Sequence, residues 1–124
     1  MLTWPQIVRI FVCTQPTDMR RGFDRLAATV RAVTHQDPLS GFLFVFFNRR
    51  QDRVKILYWD KSGYCLWYKR LEAGRFHFPP DGIGQDSMEI DMARLTLILE
   101  GIDLSGSRRR KRFALSDSVT THSS

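Results

Sequence analysis

The chain has 124 residues, of which 43% are hydrophobic and 12% aromatic, so it is long enough to bury a core without disulfide or metal staples. Its formal net charge of +6 favours a polyanionic partner, and half of this excess lies in the last 24 residues. The two cysteines, Cys13 and Cys65, have no CxxC partner, which argues against a disulfide framework and a cysteine-based zinc site.

The beginning of the chain does not have the pattern of a secretory signal. Pro5 and Arg9 interrupt its apolar residues, and no small-residue cleavage site follows. No apolar run in the sequence approaches the roughly 20 residues that a membrane helix needs. We therefore expect a cytoplasmic protein with no membrane partner.

The first two predicted elements are a strand and an amphipathic helix. Residues 7–12 form a short β-branched run that ends before Pro16. Apolar residues then recur at helical spacing, which predicts a helix from Asp18 to Val33 with Thr17 or Asp18 as its N-cap. The apolar face of this helix consists of Phe23, Leu26, Ala27, Val30 and Val33.

From Gly41 to Phe78, short aromatic and β-branched runs alternate with polar turns, the pattern of consecutive antiparallel strands. The runs cover residues 42–47, 53–59 and 64–70, and residues 75–78 are a candidate fourth run. The first run is apolar on both faces and should lie in the middle of a sheet. In the second run, Arg53 and Lys55 alternate with apolar residues, so we expect one face to reach solvent there.

The C-terminal part of the chain predicts a second helix followed by a basic arm. Asp91 is a candidate N-cap for a helix that runs to Glu100, and Gly101 is placed to end it as a left-handed cap. Five adjacent positive charges at residues 108–112 repel one another and cannot face one core. We expect residues 105–124 to be a disordered basic arm.

Together these elements predict a single α+β domain over residues 1–104. Its mainly antiparallel sheet should contain four to five strands, built around a three- or four-stranded central meander. The two helices should pack against this sheet, because each has one apolar face to bury.

The sequence gives little support for catalysis. The motifs GxSxG, HExxH, GxxxxGK[ST] and GxGxxG do not occur, and no second histidine or acid lies at a metal-ligand spacing from His77. We therefore expect no catalytic residues, no cofactor and no metal. A Mg²⁺-dependent nuclease, built from acids that converge only in space, is the weakest functional hypothesis.

Basic residues cluster near the start of the first helix, in the first hairpin loop, around the end of the third run and in the arm. Such groups gain affinity for phosphates by releasing counterions, with no need for base contacts. The predicted nucleic-acid-binding residues are Arg20, Arg21, Arg49, Arg50, Arg53, Lys69, Arg70, Arg108, Arg109, Arg110, Lys111 and Arg112. Aromatic residues that can stack on unpaired bases, where exposed, are Tyr58, Trp59, Tyr64, Trp67 and Tyr68.

These residues also have a plain structural interpretation. Arg20 and Arg21 fit a solvated helix face partly neutralised by Asp18 and Asp24. The aromatic residues fit a core with cross-strand pairs. Both interpretations stay open at the level of sequence.

Several strings resemble, in the same order, the small TnpB accessory protein of insertion sequence 66 type elements. They are TDMRRGFD at 17–24, DPLSG at 37–41, DRVKILYWD at 52–60, GYCLWYKRL at 63–71 and LEGID at 99–103. The likeness covers roughly residues 5–112 and does not extend to the much larger RNA-guided nuclease that shares the name. One departure is Gln51, which stands in the hairpin loop where relatives often have glycine.

The resemblance implies a bacterial mobile-element protein, encoded beside a separate DDE-type transposase and needed for efficient transposition. The family has no assigned catalytic residues, so none is carried over. Our first hypothesis is a non-catalytic accessory that binds DNA, at the element ends, through Arg49, Arg50, Arg53 and the arm at 108–112. The alternative is a protein-interaction module that docks on the transposase, on other proteins of the element or on its own copies.

Overall fold

The computed structural model describes residues 8–77 and 84–101, and within them five strands form one sheet. The strands are β1 Ile10–Cys13, β2 Leu43–Phe47, β3 Arg53–Trp59, β4 Tyr64–Arg70 and β5 Ser87–Ile90, and the helices are α1 Phe23–Thr34 and α2 Met92–Leu99. The sheet order is β4-β3-β2-β1-β5, with β1 and β2 parallel and the other neighbours antiparallel. The predicted α+β fold with a mainly antiparallel sheet is confirmed.

The central strand is β2, as its lack of a polar face predicts. All five of its residues are buried. Val45 and Phe47 face a core cluster that includes Leu95 of α2, whereas Phe44 and Phe46 face a second cluster that includes Leu26 of α1. One helix therefore covers each face of the sheet, and β2 is apolar on both sides because it lies between them.

The central meander has three strands, β2, β3 and β4, joined by hairpin loops. The prediction of a fourth strand from residue 75 was wrong, because Arg75–His77 lies outside the sheet. The backbone amide of Phe76 donates to the carbonyl of Gln51 in the first hairpin loop, at 2.6 Å. The Phe76 ring is fully buried, 5.5 Å from the ring of Phe47. This segment closes over the hairpin loop and fills the core without joining a strand ladder.

The outer strand β5 has no counterpart in the sequence prediction, and β1 begins three residues later than predicted. Met88 and Ile90 of β5 are buried, while Glu89 between them is exposed. Glu89 forms an ion pair with Arg9 at 2.8 Å, just before β1. A four-residue strand with alternating burial gives only a short pattern, which explains why it was missed.

Helix α1 begins at Phe23, so the predicted start at Asp18 was wrong. The N-cap is Gly22, and no side chain makes a capping hydrogen bond there; neither Thr17 nor Asp18 has the predicted role. The Asp18 carboxylate accepts a hydrogen bond from the backbone amide of Arg20, at 2.9 Å. Such a local bond favours a turn over a helix, so the chain turns before α1 starts.

The apolar face of α1 is otherwise as predicted, with Leu26, Ala27 and Val30 buried. Phe23 is the exception, since it remains 47% exposed.

Both ends of α2 agree with the sequence prediction. The Asp91 carboxylate accepts a hydrogen bond from the backbone amide of Arg94, at 2.8 Å, and so caps the N-terminus. Gly101 follows the helix with a φ of +81°, the left-handed conformation that glycine adopts without steric cost.

The expectation that β3 exposes its polar face was wrong for Lys55, which is only 7% exposed. Its ammonium group donates to the carbonyls of Met19 and Arg21, at 2.7 and 2.9 Å, and lies 4.9 Å from the centre of the Tyr68 ring. The β1–α1 loop therefore covers this lysine. The alternation of polar and apolar residues predicted that the Lys55 side chain is exposed to solvent, whereas the structure shows it buried and hydrogen-bonded.

Candidate nucleic-acid interface

The ends of β1 and β2 and the start of β3 meet at one edge of the sheet, together with the end of β4. This follows from topology, because β1 and β2 are parallel and each later strand runs opposite to its neighbour. The β1–α1 loop, residues 14–22, leaves from this edge, and so does the β2–β3 hairpin loop, residues 48–52. The amide of Thr17 donates to the carbonyl of Phe47 at 2.8 Å, which holds the two loops side by side.

The hairpin loop is shaped by Asn48. Its side-chain oxygen accepts from the amides of Asp52 and Arg53, at 3.0 and 2.9 Å, and its side-chain nitrogen donates to the Asp52 carboxylate at 2.6 Å. This last bond, helped by the charges of Arg50 and Arg53, lowers the pKa of Asp52. Asn48 thus fixes the turn from which Arg49 and Arg50 project.

Arg49 and Arg50 are both exposed. Within the part of the chain that the structure describes, neither side chain makes a hydrogen bond or a short ion pair. Gln51, at the next position, has a φ of +60°, the left-handed region that favours glycine. The loop therefore keeps its shape with glutamine, and the Gln51 side chain accepts a hydrogen bond from Arg75 at 3.1 Å.

The β1–α1 loop carries an ion pair. The Arg20 guanidinium and the Asp18 carboxylate lie 2.9 Å apart, and hydrogen bonds from Arg20 lower the pKa of Asp18 to about 2. Arg21, which is half-buried, donates to the hydroxyl of Thr29 at 2.9 Å. The buried Lys55 ammonium group donates to the main-chain carbonyls of Met19 and Arg21 in this loop. A buried cation therefore holds the loop in place.

An open cleft of about 800 Å³ lies between the two loops. The charged residues that line it are Arg20, Arg21, Arg49, Arg50, Arg53, Asp18 and Asp52. Both carboxylates have lowered pKa values and are ionised at neutral pH, so positive charges exceed negative ones by three. We call this surface the arginine cleft. Its chemistry suits a phosphate-bearing ligand.

A smaller pocket of about 350 Å³ adjoins the cleft and shares Arg53 with it. It is lined by Arg53, Tyr68, Arg70 and Glu72. Arg70 forms an ion pair with Glu72 at 3.0 Å. Tyr68 is 49% exposed, and its hydroxyl lies 3.3 Å from a guanidinium nitrogen of Arg53.

The structure brings five of the predicted binding residues together in the arginine cleft and places Arg70 beside it. Lys69 lies on the opposite face of the sheet, where its ammonium group donates to the carbonyl of Leu99 at the end of α2. The predicted arm at 108–112 lies outside the described residues.

The aromatic candidates separate by face and burial. Tyr58 is buried, and Trp67 packs against the core on the α2 side. Tyr64 contacts Trp59 and Phe23, with ring centroids 5.2 and 6.5 Å away. Tyr68 is the candidate that lines a pocket next to the cleft. Sequence alternation places Tyr68 on the same strand face as Arg70, which is the signal that relates it to the basic residues.

In residues 8–77 and 84–101, no three or more histidine, cysteine, aspartate or glutamate side chains are grouped so that they could hold a metal ion. In the same residues, no helix is long and apolar enough to cross a membrane.

Comparison with known proteins identifies the relatives of this chain. The model of a family described as IS66 Orf2 like protein matches residues 8–109. Two relatives come from Sinorhizobium fredii (strain NBRC 101917 / NGR234). "Uncharacterized protein y4jC" is 39% identical over 103 residues, which are 83% of this chain and 86% of the relative. "Uncharacterized protein y4hO" is 43% identical over 103 residues, 83% of this chain and 88% of the relative. No solved structure matches the chain.

Proposed function

The chain belongs to the IS66 Orf2-like family of transposition-associated proteins, and from this premise we propose that it is a non-catalytic accessory that binds DNA through the arginine cleft. The observation that carries the proposal is the convergence of five arginines on one concave surface, four from the two loops and Arg53 from the start of β3. Among the described residues, two carboxylates line the same surface. Arginine donors of this kind suit the phosphates of a nucleic-acid backbone.

Arg49 and Arg50 are the strongest candidates for phosphate contacts. Arg9 and Arg70 already form ion pairs with glutamates, whereas Arg49 and Arg50 have exposed guanidinium groups without such partners in the described residues. A phosphate that binds them displaces only water and counterions, and counterion release favours binding.

The shape of the cleft also supports binding. Asn48 fixes the hairpin loop through three hydrogen bonds, and Lys55 fixes the facing loop through two. Loops that are already ordered lose less conformational entropy when a ligand binds. The loop backbone that carries the cleft arginines is therefore already ordered in the free protein.

The basic arm at residues 108–112 supplies a second contact in this proposal, since five adjacent cations attract any nearby phosphate backbone. In this proposal the protein acts beside the separately encoded DDE-type transposase of the element and binds the element ends. Specificity for those ends requires contacts beyond phosphates, because phosphates carry no sequence information.

The proposal is tested by fluorescence-anisotropy titration with element-end DNA and with scrambled DNA. The full chain is compared with the double variant Arg49→Ala/Arg50→Ala and with the control Arg25→Ala/Arg31→Ala. The control removes the same charge from exposed positions of α1 that do not line the cleft. We expect the cleft variant to weaken binding roughly tenfold at about 0.1 M salt, and the control to weaken it much less.

If both double variants lose the same amount of DNA affinity, binding depends on the net charge of the protein and not on the cleft. A full chain that binds neither DNA at low salt would reject DNA binding altogether. A chain truncated after Ser107 measures the contribution of the arm to DNA affinity. We expect the truncated chain to bind more weakly than the full chain, and Arg49→Ala/Arg50→Ala to weaken binding with or without the arm.

A further inference from the structure

Building on the proposed function, we infer that the arginine cleft takes an unpaired DNA strand, with a base stacked on Tyr68 and phosphates on Arg49 and Arg50. Tyr68 lies next to the cleft, in a pocket that shares Arg53 with it. A basic groove with an accessible aromatic ring beside it is the arrangement by which proteins bind single strands.

The Tyr68 ring is both accessible and fixed in position. It is 49% exposed, its hydroxyl contacts Arg53 at 3.3 Å, and the Lys55 ammonium group lies 4.9 Å from the ring centre. Arg53 therefore holds the ring at its hydroxyl, and Lys55 holds it near one face. The part of Tyr68 that stays exposed is where a base would stack in this proposal.

The hairpin that carries Arg49 and Arg50 is poorly shaped for reading a duplex. A two-stranded ribbon reads DNA by entering the major groove, which requires that it project from the protein. Here β4 pairs with β3 as far as Arg53. The following segment also bonds to the hairpin loop, with the amide of Leu71 on Asp52 and the amide of Phe76 on Gln51. The hairpin loop is thus flanked on its β3 side as far as Gln51, and its arginines line a concave surface.

Bases in a duplex are stacked on one another, so their faces are not available to a protein ring. In an unpaired strand each base has a free face, and stacking on tyrosine is tolerant of base identity. The cleft and Tyr68 together predict a preference for unpaired over paired DNA, with weak dependence on sequence.

The test compares four ligands of about 12 nucleotides, within the usual size of single-strand sites. They are oligo-dT, an abasic strand with the same phosphates, a blunt duplex and oligo-rU. We expect the full-length protein to bind oligo-dT about tenfold more tightly than the abasic strand. Tyr68→Leu should abolish this preference, because it removes the ring but keeps apolar bulk. Tyr68→Phe, which keeps the ring, should retain it.

Four results would overturn the inference. In the first, the full-length protein binds the abasic strand as well as oligo-dT; this result needs no variant. In the second, the duplex binds more tightly than oligo-dT. In the third, Tyr68→Leu keeps the preference for oligo-dT over the abasic strand. Both of these refute stacking while DNA binding by the cleft stands. In the fourth, oligo-rU binds more tightly than oligo-dT, which assigns the site to RNA. If none of the four ligands binds, the proposed function fails as well.

Discussion

Replacing Lys55 with methionine should destabilise the fold substantially, although the sequence pattern predicts that this residue is exposed. Its ammonium group is buried and donates to the carbonyls of Met19 and Arg21. Methionine has nearly the same length and no donor. The substitution therefore leaves both carbonyls without this partner.

The size of the effect follows from these two bonds. Hydrogen bonds from a charged group contribute about 1.5–3 kcal/mol each, so two give roughly 3–6 kcal/mol. Methionine recovers part of this, because it is not penalised by burial as an ammonium group is. We therefore expect Lys55→Met to lower the free energy of unfolding by about 2–4 kcal/mol. For a chain of 124 residues, 2 kcal/mol corresponds to a fall in Tm of roughly 8 °C.

Urea unfolding followed by circular dichroism measures this difference. The control is Lys61→Met, since Lys61 is exposed in the second hairpin loop, and surface substitutions usually change stability by about 0.5 kcal/mol or less. If Lys55→Met is no more destabilising than Lys61→Met, the two bonds do not hold the β1–α1 loop, and the prepared geometry of the arginine cleft loses its basis.

Three further predictions concern single residues. Because Arg20 lowers the pKa of Asp18 to about 2, the ion pair stabilises the fold above the ordinary carboxyl pKa and loses this effect as the pH falls towards 2. Asp18→Asn should therefore have a lower Tm than the unmodified protein at pH 6 and nearly the same Tm near pH 2; a gap independent of pH would contradict this. Asp91→Ala removes the cap on the amide of Arg94 and should cost about 1 kcal/mol in urea unfolding, whereas an unchanged midpoint would mean that the cap is not formed in solution. Burial raises the pKa of Cys13 to about 12, so iodoacetamide at pH 8 should leave Cys13 unmodified in the native protein and alkylate it in urea, as read by peptide mass spectrometry; rapid native labelling would show that the strand opens.

The sequence predicts the centre of this fold well because the central strands have unambiguous patterns. Residues 43–47 lack any polar side chain and can only be buried on both faces, while the polar turns after β2 and β3 define the meander. The ends of α2 are equally clear, since Asp91 and Gly101 are strong local signals.

Elements that depend on distant contacts could not be predicted in this way. The buried state of Lys55 depends on a loop 34 to 36 residues away in sequence, and the conformation of Arg75–His77 depends on its bond to Gln51. The start of α1 was misplaced because Asp18, a good N-cap by type, pairs with Arg20 and forms a turn instead.

The same distinction applies to the candidate site. Residue type alone selected the arginines, but only the parallel pairing of β1 and β2 shows that residues 20–21 and 49–53 share one edge of the sheet. Lys69, chosen for the same reason, lies on the other face and binds the end of α2. The exposure of Tyr68 is likewise a property of the packed structure. Tyr68 and its chain neighbour Trp67 are both aromatic, yet Tyr68 is 49% exposed and Trp67 packs against the core.

The most direct test of DNA binding by the arginine cleft is the salt dependence of that binding. The logarithm of the association constant for oligo-dT is measured against the logarithm of salt concentration, for the full chain and for Arg49→Ala/Arg50→Ala. Each phosphate contact to a single strand contributes about 0.7 to the slope. The account predicts that the slope of the double variant is smaller in magnitude by roughly 1.4. An unchanged slope would show that Arg49 and Arg50 do not contact phosphates, and would contradict the account.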